Sequence, residues 1–134
     1  MSVFIDSNIP MYVAGRPHPH RDPSRRLLEK VRSGGIEGVT STEVLQEILY
    51  RYAALRRLDL AGAVYDLFVQ ICPVVLPVLL SDTDRARELL PTLPKVSARD
   101  ALHAAVMLNN GIREIATFDA GFDSIPGVRR VKLP

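Results

Sequence analysis

Short apolar runs alternate with amphipathic stretches along the whole chain, and this rhythm predicts strands alternating with helices. Val3, Phe4 and Ile5 are apolar on consecutive positions, so Ser2–Ile5 reads as a parallel strand buried on both faces. From Asn8 to Arg21 the chain begins helix-like and becomes a loop broken by Pro10, Gly15, Pro17 and Pro19. Asp22-Pro23 predicts a helix start, with the acid as cap and proline in the first helical position. That helix carries Leu27, Leu28 and Val31 and stops at Gly34-Gly35. A short strand over Ile36–Val39 follows. Thr40-Ser41-Thr42-Glu43 then fits a capping box, opening a helix to about Arg57 with Val44, Leu45, Ile48, Leu49, Tyr52 and Leu55 as its apolar stripe.

Asp59 can cap the next helix, which runs to about Ile71 with Leu60, Val64, Leu67 and Phe68 inward. Pro73 ends it. Val74–Leu79 is expected to be a strand, and Pro77 places it at a sheet edge. Ser81-Asp82 begins a helix through Leu90, and a proline-rich loop leads to Ser97–Asp100, which starts the helix Ala101–Asn110. Gly111 ends that helix, and strands follow at Glu114–Thr117 and Val128–Lys132. Alternation of this kind predicts right-handed α/β layers. With no repeat and no linker, residues 1–134 read as one domain.

Composition narrows the class. The hydrophobic share of 47% with 24% charge is that of a soluble globular protein with a real core. No stretch approaches ~18 consecutive apolar residues, so no membrane span is expected. The N-terminus shows no secretory leader pattern, which makes a cytoplasmic location the simplest expectation. Cys72 stands alone among apolar neighbours and reads as a buried core residue. Net charge is +2, and all but three of the 17 basic residues are arginine, the exceptions being Lys30, Lys95 and Lys132. Arginine suits bidentate phosphate contacts. Charge permits a nucleic-acid partner without demanding one.

The chemistry is carried by four acids at strand ends and helix starts. Asp6 closes the first strand, Glu47 lies in the helix after Thr40-Ser41, Asp100 opens a helix, and Asp119 follows a strand ending at Phe118. All four lie near the sheet edge where α/β folds bind ligands. Two carboxylates at ~4 Å repel by roughly 4 kcal/mol at an effective dielectric of about 20. Such a cluster persists where divalent cations neutralise it. Each acid also has an ordinary explanation: Asp6 as a helix cap, Glu47 as the partner of Arg51 four residues on, Asp100 as a first-turn acid in a Ser97 capping box, and Asp119 as a turn residue. Glu43 suits the capping box and Asp123 an anchored loop. His103, one turn beyond Asp100, suits packing or hydrogen bonding. The Thr117 hydroxyl could support a ligand.

Four segments in order resemble the PIN-domain family, in particular the VapC-like toxins of prokaryotic toxin–antitoxin pairs. They are Ile5-Asp6-Ser7-Asn8, Ser41 to Glu47, Ser97 to Ala105, and Thr117 to Phe122. The resemblance spans essentially the whole chain. It implies a three-layer α/β/α sandwich with a mainly parallel central sheet. It also implies Mg²⁺- or Mn²⁺-dependent ribonuclease activity, homodimerisation and an antitoxin that covers the site. Carried over by position, Asp6, Glu47, Asp100 and Asp119 match the family's metal-binding and catalytic acids, with Ser7 and Thr117 supporting them. Arg51 and Arg99 are placed to guide an RNA backbone.

Three other readings compete. A haloacid-dehalogenase-like phosphatase usually has a second Asp two residues after the first, where this chain has Asn8. A receiver domain needs an acidic pair near the first strand end, which is absent. A catalytically silent PIN-like scaffold that binds RNA or protein is the non-enzymatic alternative, and intact acids at all four positions argue against it.

Overall fold

Buried parallel strands need covering on both faces, and the observed architecture supplies this. A computed structural model describes residues 2–134 of the chain. The strands are β1 (Ser2–Ile5), β2 (Glu37–Ser41), β3 (Val74–Leu76), β4 (Glu114–Ala116) and β5 (Arg129–Arg130). They form one sheet in the order β3-β2-β1-β4-β5, parallel throughout. Six helices flank it: α1 (Asn8–Ala14), α2 (Arg21–Arg32), α3 (Thr42–Ala54), α4 (Leu58–Ile71), α5 (Leu80–Leu89) and α6 (Ala98–Asn109). The chain leaves β1 towards β2 and β3, then returns past β1 to β4. With right-handed crossovers, that reversal lays α5 and α6 on the face opposite the earlier helices. The expected three-layer α/β/α sandwich is therefore present.

The reversal also fixes where a ligand can sit. Beyond the carboxyl ends of β1 and β4 the following segments diverge, opening a crevice at the switch point. Asp6 follows β1 directly, and its amide donates to the Ala116 carbonyl at 3.1 Å, holding the two strand ends together.

Burial of consecutive residues in β1 is complete, with Phe4 and Ile5 both inaccessible. Around them pack Ile9, Leu27, Val44, Ile48, Phe68, Met107, Ile115 and Phe122. Cys72 lies in this core, and burial pushes its thiol up to about 11, so it is an unreactive packing residue. Val44, Leu45, Ile48 and Tyr52 face inward as the stripe predicted, whereas Leu49 and Leu55 are exposed. Leu55 falls beyond the end of α3, and Leu49 lies outside the arc that α4 and the sheet cover. Leu67 is likewise exposed although Val64 and Phe68 are buried, because it sits on the flank of α4.

Several boundaries shift for identifiable reasons. α2 starts at Arg21 rather than at Pro23, because the Ser24 hydroxyl and amide both bond the His20 carbonyl. Asp22 instead pairs with Arg25 at 3.3 Å. α4 starts at Leu58, and Asp59 is a first-turn acid gripped by Arg57 rather than a cap. β3 is an edge strand as Pro77 required, and it ends at Leu76, just before that proline. The last two strands are shorter than expected, pairing only over Glu114–Ala116 and Arg129–Arg130. β2 runs on through Thr40 and Ser41, which makes Ser41 the cap of α3: its hydroxyl accepts from the Val44 amide at 3.3 Å. The expected box between Thr40 and Glu43 does not form, since the Thr40 hydroxyl donates to the Ile5 carbonyl at 3.1 Å.

Gly38 in β2 marks the tightest helix-to-sheet contact. A Cβ there would lie 2.6 Å from one Val31 methyl and 3.0 Å from Ile5 Cδ1. Valine is stiff about χ1 and cannot swing aside. Gly38→Ala should therefore destabilise the fold by about 1–3 kcal/mol, read from urea unfolding. Adding Val31→Ala should recover part of that loss. Simple additivity of the two substitutions would contradict the contact.

Candidate metal centre and catalytic edge

Asp6 lies where β1 gives way to α1, and it is 6% exposed. Its Oδ1 accepts from the Ser7 amide at 2.7 Å and lies 3.5 Å from the Ser7 hydroxyl. Its Oδ2 accepts from the Thr117 hydroxyl at 2.7 Å. Thr117 Oγ1 itself accepts from Asn8 Nδ2 and from the Asp119 amide, each at 3.1 Å. With both lone-pair directions taken, its single proton has only Asp6 to point at. Burial pushes the Asp6 carboxyl up and the Glu47 charge adds to this, while His103, Thr117 and Ser7 pull it down; the balance is a raised pKa.

Glu47 sits on the buried face of α3, 8% exposed. Arg51 is not its partner. Glu47 Oε2 lies 3.2 Å from Arg99 Nε, and Oε1 accepts a hydrogen bond from His103 Nε2. His103 is inaccessible, packed near Phe4 and Phe122, with Nε2 4.0 Å from Asp6 Oδ1. Burial opposes a charged imidazole, but the Glu47 hydrogen bond and the charges of Asp6, Glu47 and Asp100 outweigh it and hold the pKa above its ordinary value. His103 Nδ1 is buried without a hydrogen-bond partner among the described residues. The bond to Glu47 and the packing against Phe4 and Phe122 hold this ring.

Asp100 and Asp119 form a second, more open pair. The Asp100 amide donates to the Ser97 hydroxyl at 3.1 Å, so the cap works in one direction and the Asp100 carboxyl stays free for the site. Burial raises that carboxyl to about 7, reinforced by a hydrogen bond and repulsion from Asp119 and by the Asp6 charge. Asp119 is exposed, and its Oδ1 accepts from the Gly121 amide at 2.8 Å. A Cβ on Gly121 would lie 3.0 Å from Asp119 Oδ1 and 3.4 Å from Asp100 Oδ2. Glycine there leaves room for both carboxylates.

The four predicted acids thus meet at one edge. Two others do not join them. Asp123 makes a bidentate pair with Arg130, both contacts 2.8 Å, and ties the turn Ala120–Ser124 to β5. Glu43 is half-buried and makes no cap. His103 and Gly121 were undervalued in the sequence. A lone histidine in the alanine-rich stretch Ala101–Ala105, one turn from Asp100, was the available signal for the first; a glycine two residues after an acid was the signal for the second.

Asp6, Glu47 and His103 each present a ligand atom, all within 4.8 Å of one another. This buried group could hold a metal ion. The fit is chemical as well as spatial, since carboxylate oxygens are hard donors and His103 Nδ1 is a buried nitrogen without a hydrogen-bond partner among the described residues.

Residues 3–128 match the model of the PIN domain. Ribonuclease VapC13 of Mycobacterium tuberculosis is 45% identical over 129 residues, covering 96% of this chain and 98% of the relative. Among solved structures, VapBC2 from Rickettsia felis, bound to a DNA fragment from its promoter, superposes with a TM-score of 0.77 at 19% identity, covering both chains fully. Mycobacterium tuberculosis VapC20, described as a Sarcin-Ricin loop cleaving toxin, gives 0.74 at 21% identity over 91% of this chain and 93% of that one. With a family model matched over residues 3–128 and a relative 45% identical over 96% of the chain, the chain belongs to the PIN domain family.

Proposed function

We propose that this chain is a divalent-metal-dependent endoribonuclease that hydrolyses RNA phosphodiester bonds as the toxin of a toxin–antitoxin pair. The observation that carries the reading is the meeting of Asp6, Glu47, Asp100 and Asp119 at the switch point of a PIN fold. Relatives named as VapC ribonucleases support the same activity. Mg²⁺ or Mn²⁺ is the proposed ion, with Asp6 and Asp119 as its contacts, direct or through water. Glu47 and Asp100 complete the cage or orient the nucleophilic water. When bound, the ion supplies Lewis-acid polarisation of the phosphate and a lowered pKa for the attacking water.

The chain's own groups do the positioning. Thr117 and Ser7 aim the two oxygens of Asp6. His103 and Arg99 grip opposite oxygens of Glu47, so its carboxylate cannot rotate. Arg99, exposed at the rim, also brings positive charge to where a phosphate would approach. An antitoxin covering this edge, a homodimer and a cytoplasmic location belong to the same reading. The exposed Tyr50, Leu55 and Leu58 around the α3–α4 hairpin support self-association. Among the described residues no helix is long and apolar enough to cross a membrane.

Purified protein should cleave unstructured or looped RNA with Mn²⁺ or Mg²⁺ and fail in EDTA. Asp6→Asn and Asp119→Asn should each slow cleavage by about 10²–10⁴-fold, while Asp123→Asn should not. Cleavage indifferent to EDTA or to Asp6→Asn would sink the metal centre.

Thr117→Val removes the proton aimed at Asp6 while keeping the shape. It should weaken metal binding or activity by roughly 10–100-fold, and Thr117→Ser should restore most of it. Equal behaviour of valine and serine would deny the hydroxyl this role.

Asp100, Asp6 and His103 all have raised pKa values in the metal-free fold. The folded chain therefore holds protons that the unfolded chain has lost, and stability falls as pH rises through the folded values. In EDTA the melting temperature should drop between about pH 5 and about pH 8. Saturating Mn²⁺ should flatten that slope. A melting temperature that climbs over this range in EDTA would contradict the electrostatic picture.

A further inference from the structure

Beside the acidic edge lies a feature that hydrolysis leaves unused. A cavity of ≈ 520 Å³ opens between α1 and the C-terminal half of α3. Tyr12, His18, Arg16 and Arg51 line it, over a floor of Met11 and Tyr52. Its inner corner is Asn8, whose amide bonds Thr117, and Thr117 bonds Asp6. Two side-chain hydrogen bonds thus link the cavity to the first catalytic acid.

Four rings gather here from three segments. Tyr12 lies 4.7 Å from His18 and meets Phe118 edge-on at 5.3 Å. His18 lies 4.7 Å from His20, which stacks on Phe118 at 3.8 Å and 12°. Phe118 sits between Thr117 and Asp119, so the cluster is anchored next to a catalytic acid. None of these rings belongs to the core: His18 is exposed and the other three are half-buried. The charge lining the cavity has one sign. No carboxylate lines the cavity, and neither Arg16 nor Arg51 forms a salt bridge among the described residues.

Aromatic faces flanked by free guanidinium groups are the chemistry that holds an unpaired nucleotide, the ring taking the base and arginine the phosphate. We propose that this cavity is a subsite for one unpaired nucleobase of the RNA substrate, stacked on Tyr12 and His18, with the adjoining phosphate met by Arg51 and Arg16. The proposal rests on the ribonuclease reading for its substrate class. A peptide segment is the competing occupant, and the single sign of charge and the link to Asp6 favour RNA.

The test is an abasic scan. A labelled single-stranded RNA of about ten nucleotides, with one base removed at each position in turn, is titrated against the full chain in EDTA by fluorescence anisotropy. Loss of one particular base should weaken binding to the wild-type chain about tenfold. Tyr12→Leu and His18→Ala should bind the intact RNA about tenfold more weakly and lose sensitivity to that base, and Tyr12→Phe should regain both. In cleavage with Mn²⁺ the loss should appear in KM rather than kcat. His18 is exposed, so its substitution carries the test if Tyr12→Leu fails to fold. An abasic scan identical in wild type and His18→Ala overturns the proposal and leaves the cavity to a protein partner. The base-specific signature without any cleavage would remove the ribonuclease reading and keep the subsite; cleavage without the signature would do the reverse.

Discussion

Like-charge repulsion at the parting of β1 and β4 is the constraint to which the rest of this structure answers. One carboxylate pair at ~4 Å costs roughly 4 kcal/mol at an effective dielectric of about 20, against a total stability of about 5–15 kcal/mol for a domain of ordinary size. Four such groups at one edge would be ruinous without compensation. The fold offsets the cost group by group. Asp6 takes two short hydrogen bonds, from the Ser7 amide and the Thr117 hydroxyl, each worth about 1.5–3 kcal/mol for a charged acceptor. Glu47 is met by His103 on one oxygen and Arg99 on the other. Only Asp100 and Asp119 are left facing each other, and there burial and the Asp119 charge push the Asp100 carboxyl up to about 7.

This divides the edge into two unlike halves. The buried half, Asp6 with Glu47 and His103, is rigid because every carboxylate oxygen has a protein partner. The open half, Asp100 with Asp119, rests on one backbone donor, the Gly121 amide to Asp119 Oδ1, and on the space that Gly121 leaves. Of the two, the open half is the one that solvent reaches: Asp119 is exposed, whereas Asp6 and Glu47 are 6% and 8% exposed.

How much of this was legible in the sequence depends on the kind of signal involved. The sheet and its acids announced themselves because a fully buried parallel strand is apolar on consecutive residues, and Asp6, Asp119 and their hydroxyl neighbours follow such runs directly. Glu47 and Asp100 were legible only in company, since each alone looks like a paired or capping acid on a helix. The sequence could not show that Arg51 turns from Glu47 and Arg99 reaches it, because both arginines satisfy local charge rules. The exposure of Leu49, Leu55 and Leu67 was hidden for a related reason: periodicity marks an apolar arc, but the width of the covered arc depends on which helix packs against it.

The boundary at Thr40-Ser41 shows why a one-residue difference matters to the site. Each residue turns an α-helix by roughly 100°, so a cap at Thr40 instead of Ser41 would rotate Glu47 away from His103 and out of the cluster. What prevents that slip is the pairing of Thr40 and Ser41 with Val75 and Leu76 of β3, to which the Thr40 hydroxyl adds a bond to the Ile5 carbonyl. Ile5 is also the residue that delivers Asp6. The β1–β2 register, Phe4 opposite Val39, together with this buried hydrogen bond of 3.1 Å therefore sets the start of α3 against the end of β1. Through it the position of Glu47 is defined relative to Asp6, although the two acids themselves repel. The framework that brings these charges together is neutral, made of main-chain pairing and one hydroxyl.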